Sequence, residues 1–175
     1  MADGEMDRLL EALEHRHFGK YRGVVLDNND PLTQGRVQVQ VPAVLGTQSL
    51  WALPCAPYAG KDIGFLALPP VGSSVWVEFE GGDRAHPIWC GGFWASGELP
   101  ADCSPTTVVF RTPGATIRIE DGGTVEIETT GGTKLTMSGS EIKLEAPSIK
   151  QSANGGAAEL SAGGFDAMNG ALKVV

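Results

Sequence analysis

The run PPVGSSVWVEFEGGDRAHPIWCGGFW, residues 69–94, changes character every second residue. Val75, Val77 and Phe79 fall on one side and Trp76, Glu78 and Glu80 on the other, the pattern of a strand with one buried and one wet face. Gly81, Gly82 and Asp83 supply a turn, and PIWCGGF returns as a second strand. Gly72, Gly81 and Gly82 permit the positive φ that tight corners need, and Pro87 suits a strand's first position, where no ladder donor is required. Asp83 can accept hydrogen bonds from the backbone of its own turn. These roles are structural, and none makes Asp83 catalytic.

Working outward, YRGVVLD and GRVQVQVP read as two more strands, the second placing Val37, Val39 and Val41 against Gln38 and Gln40. DNNDPLTQG between them is dense in turn formers, and LWALPCAPYAG is a buried run broken by prolines. About five strands separated by turns suit a small closed barrel, because closure removes the sheet edges; an OB-fold is the expected form. The composition agrees. Among 175 residues, 24 glycines and 11 prolines beside 7% aromatics favour short strands over helix bundles, and 42% apolar with 19% charged residues describes a globular chain.

A net charge of -8 argues against a nucleic-acid backbone or an anionic membrane as the binding target. A nucleic-acid OB-fold would need a basic groove, whereas the best strand here carries Glu78 and Glu80. Cys55, Cys90 and Cys103 form no metal-type pair and are expected to be reduced and mostly buried in a cytosolic protein. No run of about 20 apolar residues and no secretory leader pattern is present.

At residues 20–94 the sequence resembles the OB-fold of phage baseplate assembly protein V and of the VgrG-type central spikes of contractile injection systems. The resemblance rests on KYRGVVLDNNDPLTQGRVQVQVP, WALPCAPYAG and an ordered signature through Pro70, Gly72, Val75, Val77, Phe79, Glu80, Gly82, Asp83, Pro87 and Ile88. It implies an all-β protein in which the barrel is followed by a trimeric, intertwined β-helix or β-prism.

The expected organisation is an N-terminal helical arm at 1–18, the barrel at 19–98, a Pro-rich linker at 99–107 and a shaft and tip at 108–175. Within TPGATIRIEDGGTVEIETTGGTKLTMSGSEIKLEAP, residues 112–147, short strands repeat with an apolar and a charged side. Ile117, Ile119, Val125, Ile127, Leu135, Met137, Ile142, Leu144 and Ile149 are the inward candidates; Arg118, Glu120, Glu126, Glu128, Lys134, Lys143 and Glu145 face out. A single-chain hairpin meander with turns at DGG and TGG is one reading. Its weakness is burial: a lone sheet of short strands exposes its apolar face, and the chain has nothing left to cover it. Three copies would supply the missing surface.

The first segment, DGEMDRLLEALEHRHFGKY, has helical spacing, with Asp3 as cap and Gly19 as stop. His15 and His17 point in different directions on a helix and are expected to be a solvated pair rather than metal ligands. No metal or other cofactor is expected. The apolar terminus, Leu172, Val174 and Val175, is read as the contact for a small tip protein of the PAAR type, as the resemblance implies. Leu9, Leu13, Phe18 and Tyr21 are assigned to a baseplate hub or to neighbouring copies.

The functional expectation is a non-enzymatic homotrimeric spike. It would meet hub, inner-tube and baseplate components, touch a target membrane only on puncture, and bind no nucleic acid. Assembly would take place in the cytoplasm, with the spike carried on the particle thereafter. The competing expectation is an OB-fold module that binds carbohydrate or protein, with a β-rich oligomerisation tail.

Overall fold

The computed structural model describes residues 13–168 and 171–174. The chain divides into two compact units between Leu99 and Pro100. The first contains β1 (Tyr21–Asp27), β2 (Val37–Gln40), a one-turn helix α1 (Pro42–Leu45) and β3 (Ser49–Pro54). A small hairpin follows, β4 (Ala59–Gly60) with β5 (Ile63–Gly64), then β6 (Ser74–Phe79), a 3-10 turn (Glu80–Gly82) and β7 (Pro87–Gly92).

Five of these strands close into a barrel in the order β1-β2-β3-β7-β6. β1 runs antiparallel to both β2 and β6, and the parallel pairing of β3 with β7 through Leu53 opposite Ile88 completes the ring. This is the OB arrangement, and it leaves no open sheet edge. Alternation decides what lies inside: Val25, Val37, Val39, Val41, Val75 and Val77 are fully buried, with Ala52, Leu45, Phe79 and Trp89 completing the core. Valine's branched Cβ fits the pleated interior of a small barrel, and each such side chain contributes ~1.5–3 kcal/mol on burial.

The β1–β2 connection is organised by one carboxylate. Asp30 accepts backbone N–H bonds from Leu32, Gln34 and Arg36 and a forked pair from Arg36 Nε and Nη2 at 3.0 and 2.7 Å. The Arg36 guanidinium, which in turn lies over the Trp51 ring, holds the Asp30 carboxyl far below the usual carboxylate range.

The second unit is sheet throughout. β8 (Thr107–Arg111), β9 (Ala115–Glu120), β10 (Val125–Thr129), β11 (Lys134–Met137) and β12 (Ile142–Glu145) form a five-stranded antiparallel meander. After Ala146 and Pro147, β13 (Ser148–Ala153), β14 (Gly156–Ser161), β15 (Gly164–Ala167) and β16 (Leu172–Val174) form a second meander of four strands. Its first turn is Asn154-Gly155 with φ of 49° and 86°, the left-handed pair that a two-residue hairpin needs.

Two expectations change. His15 is exposed, but His17 is half-buried: its backbone N–H donates to the Gly82 carbonyl at 2.9 Å, and its ring lies 5.9 Å from that of Phe79 and 6.1 Å from that of Tyr21. The thiols are not mostly buried: Cys55 is exposed where the broken run leaves the barrel, and Cys90 and Cys103 are half-buried. Of the expected N-terminal helical arm, residues 13–18 are described, and only Leu13 and Glu14 are helical, so the helix ends at His15 and not at the expected stop, Gly19; Leu9 lies outside the described residues, as does Val175.

Candidate functional site

The candidate interaction surface is a pair of apolar faces in the second unit. Strand alternation puts every second residue on one side, and the hairpins set these residues opposite one another without a slip. In the five-stranded meander one rung runs Phe110–Ile117–Ile127–Leu135–Leu144 and the next runs Val108–Ile119–Val125–Met137–Ile142. The hairpin register thus brings together eight of the nine residues assigned to the shaft core. The ninth, Ile149, opens an equivalent rung in the four-stranded meander, Ile149–Leu160–Phe165–Val174.

The opposite sides are polar. Arg118 stands opposite Glu126, and Lys134 bonds Glu126 at 2.6 Å. Lys143 bonds Glu145 at 2.7 Å, and Lys150 bonds Glu159 at 3.2 Å. Hydrogen bonding to Glu126 raises the Lys134 pKa, and the Lys143 bond lowers that of Glu145. Each sheet is therefore sorted into one apolar and one charged surface.

Not one described residue from Pro100 onward is buried. Ile142 is 72% exposed, Val108 67% and Leu160 54%, although all three sit on the apolar faces. Exposed apolar surface gathered on one face is the usual character of an interaction surface.

The segment leading into β8 is fixed to the first hairpin. The carboxylate of Asp102 takes Arg111 Nη1 at 2.9 Å and also receives both Arg111 Nη2 and Arg118 Nη2, while Arg118 Nη1 donates to the Asp102 carbonyl at 3.0 Å. The Arg111 guanidinium holds this carboxyl below its ordinary range. The Pro-rich stretch read as a linker is thus tied down at its centre.

In the barrel, the signature residues shape one corner and its neighbours. Asp83 Oδ1 accepts the Ala85 N–H at 3.0 Å, Ser73 N–H bonds the Pro70 carbonyl, Gly72 takes φ 88°, and Pro87 starts β7 opposite Phe79. Gly82 combines φ 79° with a crowded site: an added Cβ would lie 3.0 Å from Arg16 Cβ and 3.1 Å from both His17 N and the Phe18 ring. Arg16 Nη1 also reaches the Gly81 carbonyl at 3.0 Å. The arm is therefore seated on its own barrel at this corner. Of the residues assigned to hub contact, Tyr21 is half-buried against Phe79 at 5.6 Å, whereas Leu13 and Phe18 remain exposed.

Three features of the site escape the sequence reading. Val108 and Phe110 belong to the apolar face but sit in the unbroken run VVF, which has no alternation to detect. Leu160 and Phe165 lie among alanines and glycines, and the signal that could have found them is the turn dipeptide Asn154-Gly155. The docking of Arg16 and His17 on Gly82 spans 65 residues and leaves no local trace.

No curated protein matches the chain. Residues 21–94 match the family model of the Type VI secretion system/phage-baseplate injector OB domain, a span that begins with the first residue of β1 and ends two residues past β7. The matched span coincides with the closed barrel and covers less than half of the chain, so it is the barrel that is similar to the injector OB domain of that family.

Proposed function

We propose that the protein is a structural spike component of a contractile, phage-tail-like injection apparatus, working as a homotrimer. The barrel is the part that seats on the baseplate hub. The sheeted unit is the shaft, three copies of which turn their apolar faces inward and their charged faces to water. The observation that carries this reading is that no described residue after Pro100 is buried, in a segment whose strands are sorted so cleanly by polarity. A stack of sheets with no exposed apolar face can transmit the push of a contracting sheath to a target envelope without chemistry of its own. The apolar terminus, with Leu172 and Val174 in β16, is either presented to a tip protein or buried against its own copies, and deletion of residues 165–175 tests the first.

The test is mass by light scattering on the purified chain. Three times the 18.3 kDa chain mass is expected; a stable folded monomer overturns the reading.

One observation favours the binding-module reading. A cleft of about 500 Å³ opens beside the β4–β5 hairpin, lined by Pro54, Tyr58, Phe65, Leu66 and Trp89. Mostly apolar lining with aromatic rings is the usual character of a ligand pocket. A glycan array and a single-strand DNA gel shift with the full chain decide whether this cleft takes a ligand.

A further inference from the structure

Among its described residues, the four-stranded meander carries one polar side chain on its apolar face. That face comprises Ile149, Gln151, Ala153, Gly156, Ala158, Leu160, Phe165, Ala167, Leu172 and Val174, paired in register across all four strands. Ser148, Lys150, Glu159, Asp166 and Lys173 occupy the other side. Gln151 stands opposite Ala158 and, with Ala153, Gly156, Ala158, Ala167 and Met168, lines a shallow concavity at the strand ends that Ser152 and Ala157, on the other side by alternation, also border. Its exposed side chain projects from among residues that offer it no hydrogen-bond partner.

The face is also graded in size. The rung Ile149–Leu160–Phe165–Val174 is bulky, and beside it the rung Gln151–Ala158–Ala167–Leu172 is small at its two central strands. A face with a ridge and a hollow side by side fits copies of itself around a closed ring, the ridge of each filling the hollow of the next. A second and third copy of this chain are therefore its occupants, in keeping with the trimer proposed above, on which this inference rests.

We infer that Gln151 sets the register and symmetry of that ring. In a three-fold assembly the three carboxamides meet at one level, and each can donate an N–H to the next one's oxygen in a closed head-to-tail cycle. A slipped copy would face alanine with a buried, unpaired amide. One polar group on an apolar seam commonly fixes register at some expense in stability.

The test compares the full-length chain with Gln151→Glu, Gln151→Leu and Ser152→Glu, Ser152 lying on the opposite side of the same strand. Oligomeric state is followed by light scattering from pH 7 to pH 3, and methyl spectra of Met137 and Met168 report symmetry. Gln151→Glu should loosen the trimer at least tenfold at pH 7 and recover below about pH 4, where the protonated acid can donate and accept as the amide does. Ser152→Glu should behave as wild type. Gln151→Leu should stay associated but show several methyl signals in place of one for each methionine. A trimeric wild type in which Gln151→Glu and Ser152→Glu behave alike, or in which Gln151→Leu keeps single signals, overturns the role of Gln151 alone. A monomeric wild type overturns the trimer, and the ring with it.

Discussion

Ile127 stands directly opposite Ile117 across the β9–β10 hairpin, while their neighbours Glu126 and Arg118 face each other on the reverse side. Two adjacent positions on one strand therefore lie on opposite faces of the sheet. Ile127→Asp or Leu144→Asp would place a carboxylate on the apolar face of every copy, an unfavourable burial of ~2–7 kcal/mol per group before any relaxation. Trimer is expected to be lost at micromolar concentration in sedimentation or light scattering. Glu126→Ala and Lys143→Ala should shift the melting midpoint by only about 2 °C, since water screens pairs on an outer face. Equal losses from both classes would reverse the assignment of inside and outside.

Gly82→Ala tests the corner that holds the arm. The new methyl meets Arg16 and His17 and also forces a side chain into left-handed backbone, a cost of ~1–2 kcal/mol from the backbone alone. Gly72→Ala is the control, because it has φ 88° but nothing within 4 Å of the added carbon. Faster amide exchange at residues 16–18 is expected in Gly82→Ala only, with the barrel still folded in both.

Asp30 gives a pH signature. Its carboxyl is depressed in the folded chain, so it titrates lower there than in the unfolded chain, where its pKa is about 3.9. The stabilisation is full above that value and is lost as pH falls through the folded pKa. Asp30→Asn should lower the melting midpoint at pH 7, and its gap from wild type should narrow as the buffer is taken below about pH 4. A gap that stays constant down to pH 2 would contradict the account.

Asp102→Ala should release the segment before β8 from the first hairpin. Trypsin or proteinase K is expected to cut within residues 99–106 several times faster than in wild type, with the β9–β12 pairings unchanged by amide exchange. Unchanged cutting would mean that the Arg111 and Arg118 contacts do not hold the segment in solution.

The barrel was legible because its information is local. Val37, Val39 and Val41, and again Val75, Val77 and Phe79, declare their inner face by spacing alone, and closure follows from the number of strands. The apolar face of the second unit was legible for the same reason at Ile117, Ile119, Val125 and Ile127. What escaped depended on contacts distant in sequence or on weak composition. Asp102 looked like linker because neither arginine that grips it is nearby in the chain, the closer being nine residues away. The last four strands were hidden because Ala157, Ala158 and Ala167 give little hydrophobic contrast with the glycines around them. His17 looked fully solvated, and is half-buried, because the ring it packs on, Phe79, belongs to a strand some sixty positions later.

Every pairing from β8 to β16 joins strands that are consecutive in the chain, a topology that can form on the timescale of single hairpins, microseconds. In the trimer proposed above, meeting two further copies would be a concentration-dependent step and far slower. A newly made chain therefore passes through an interval in which it is already pleated but still solitary, with Phe110, Leu144 and Phe165 open to any other apolar surface. The hazard in making this protein lies in that wait. Production at low temperature and slow synthesis lengthens it, whereas a high local density of nascent chains, as on one polysome, shortens it and favours correct partners over stray ones.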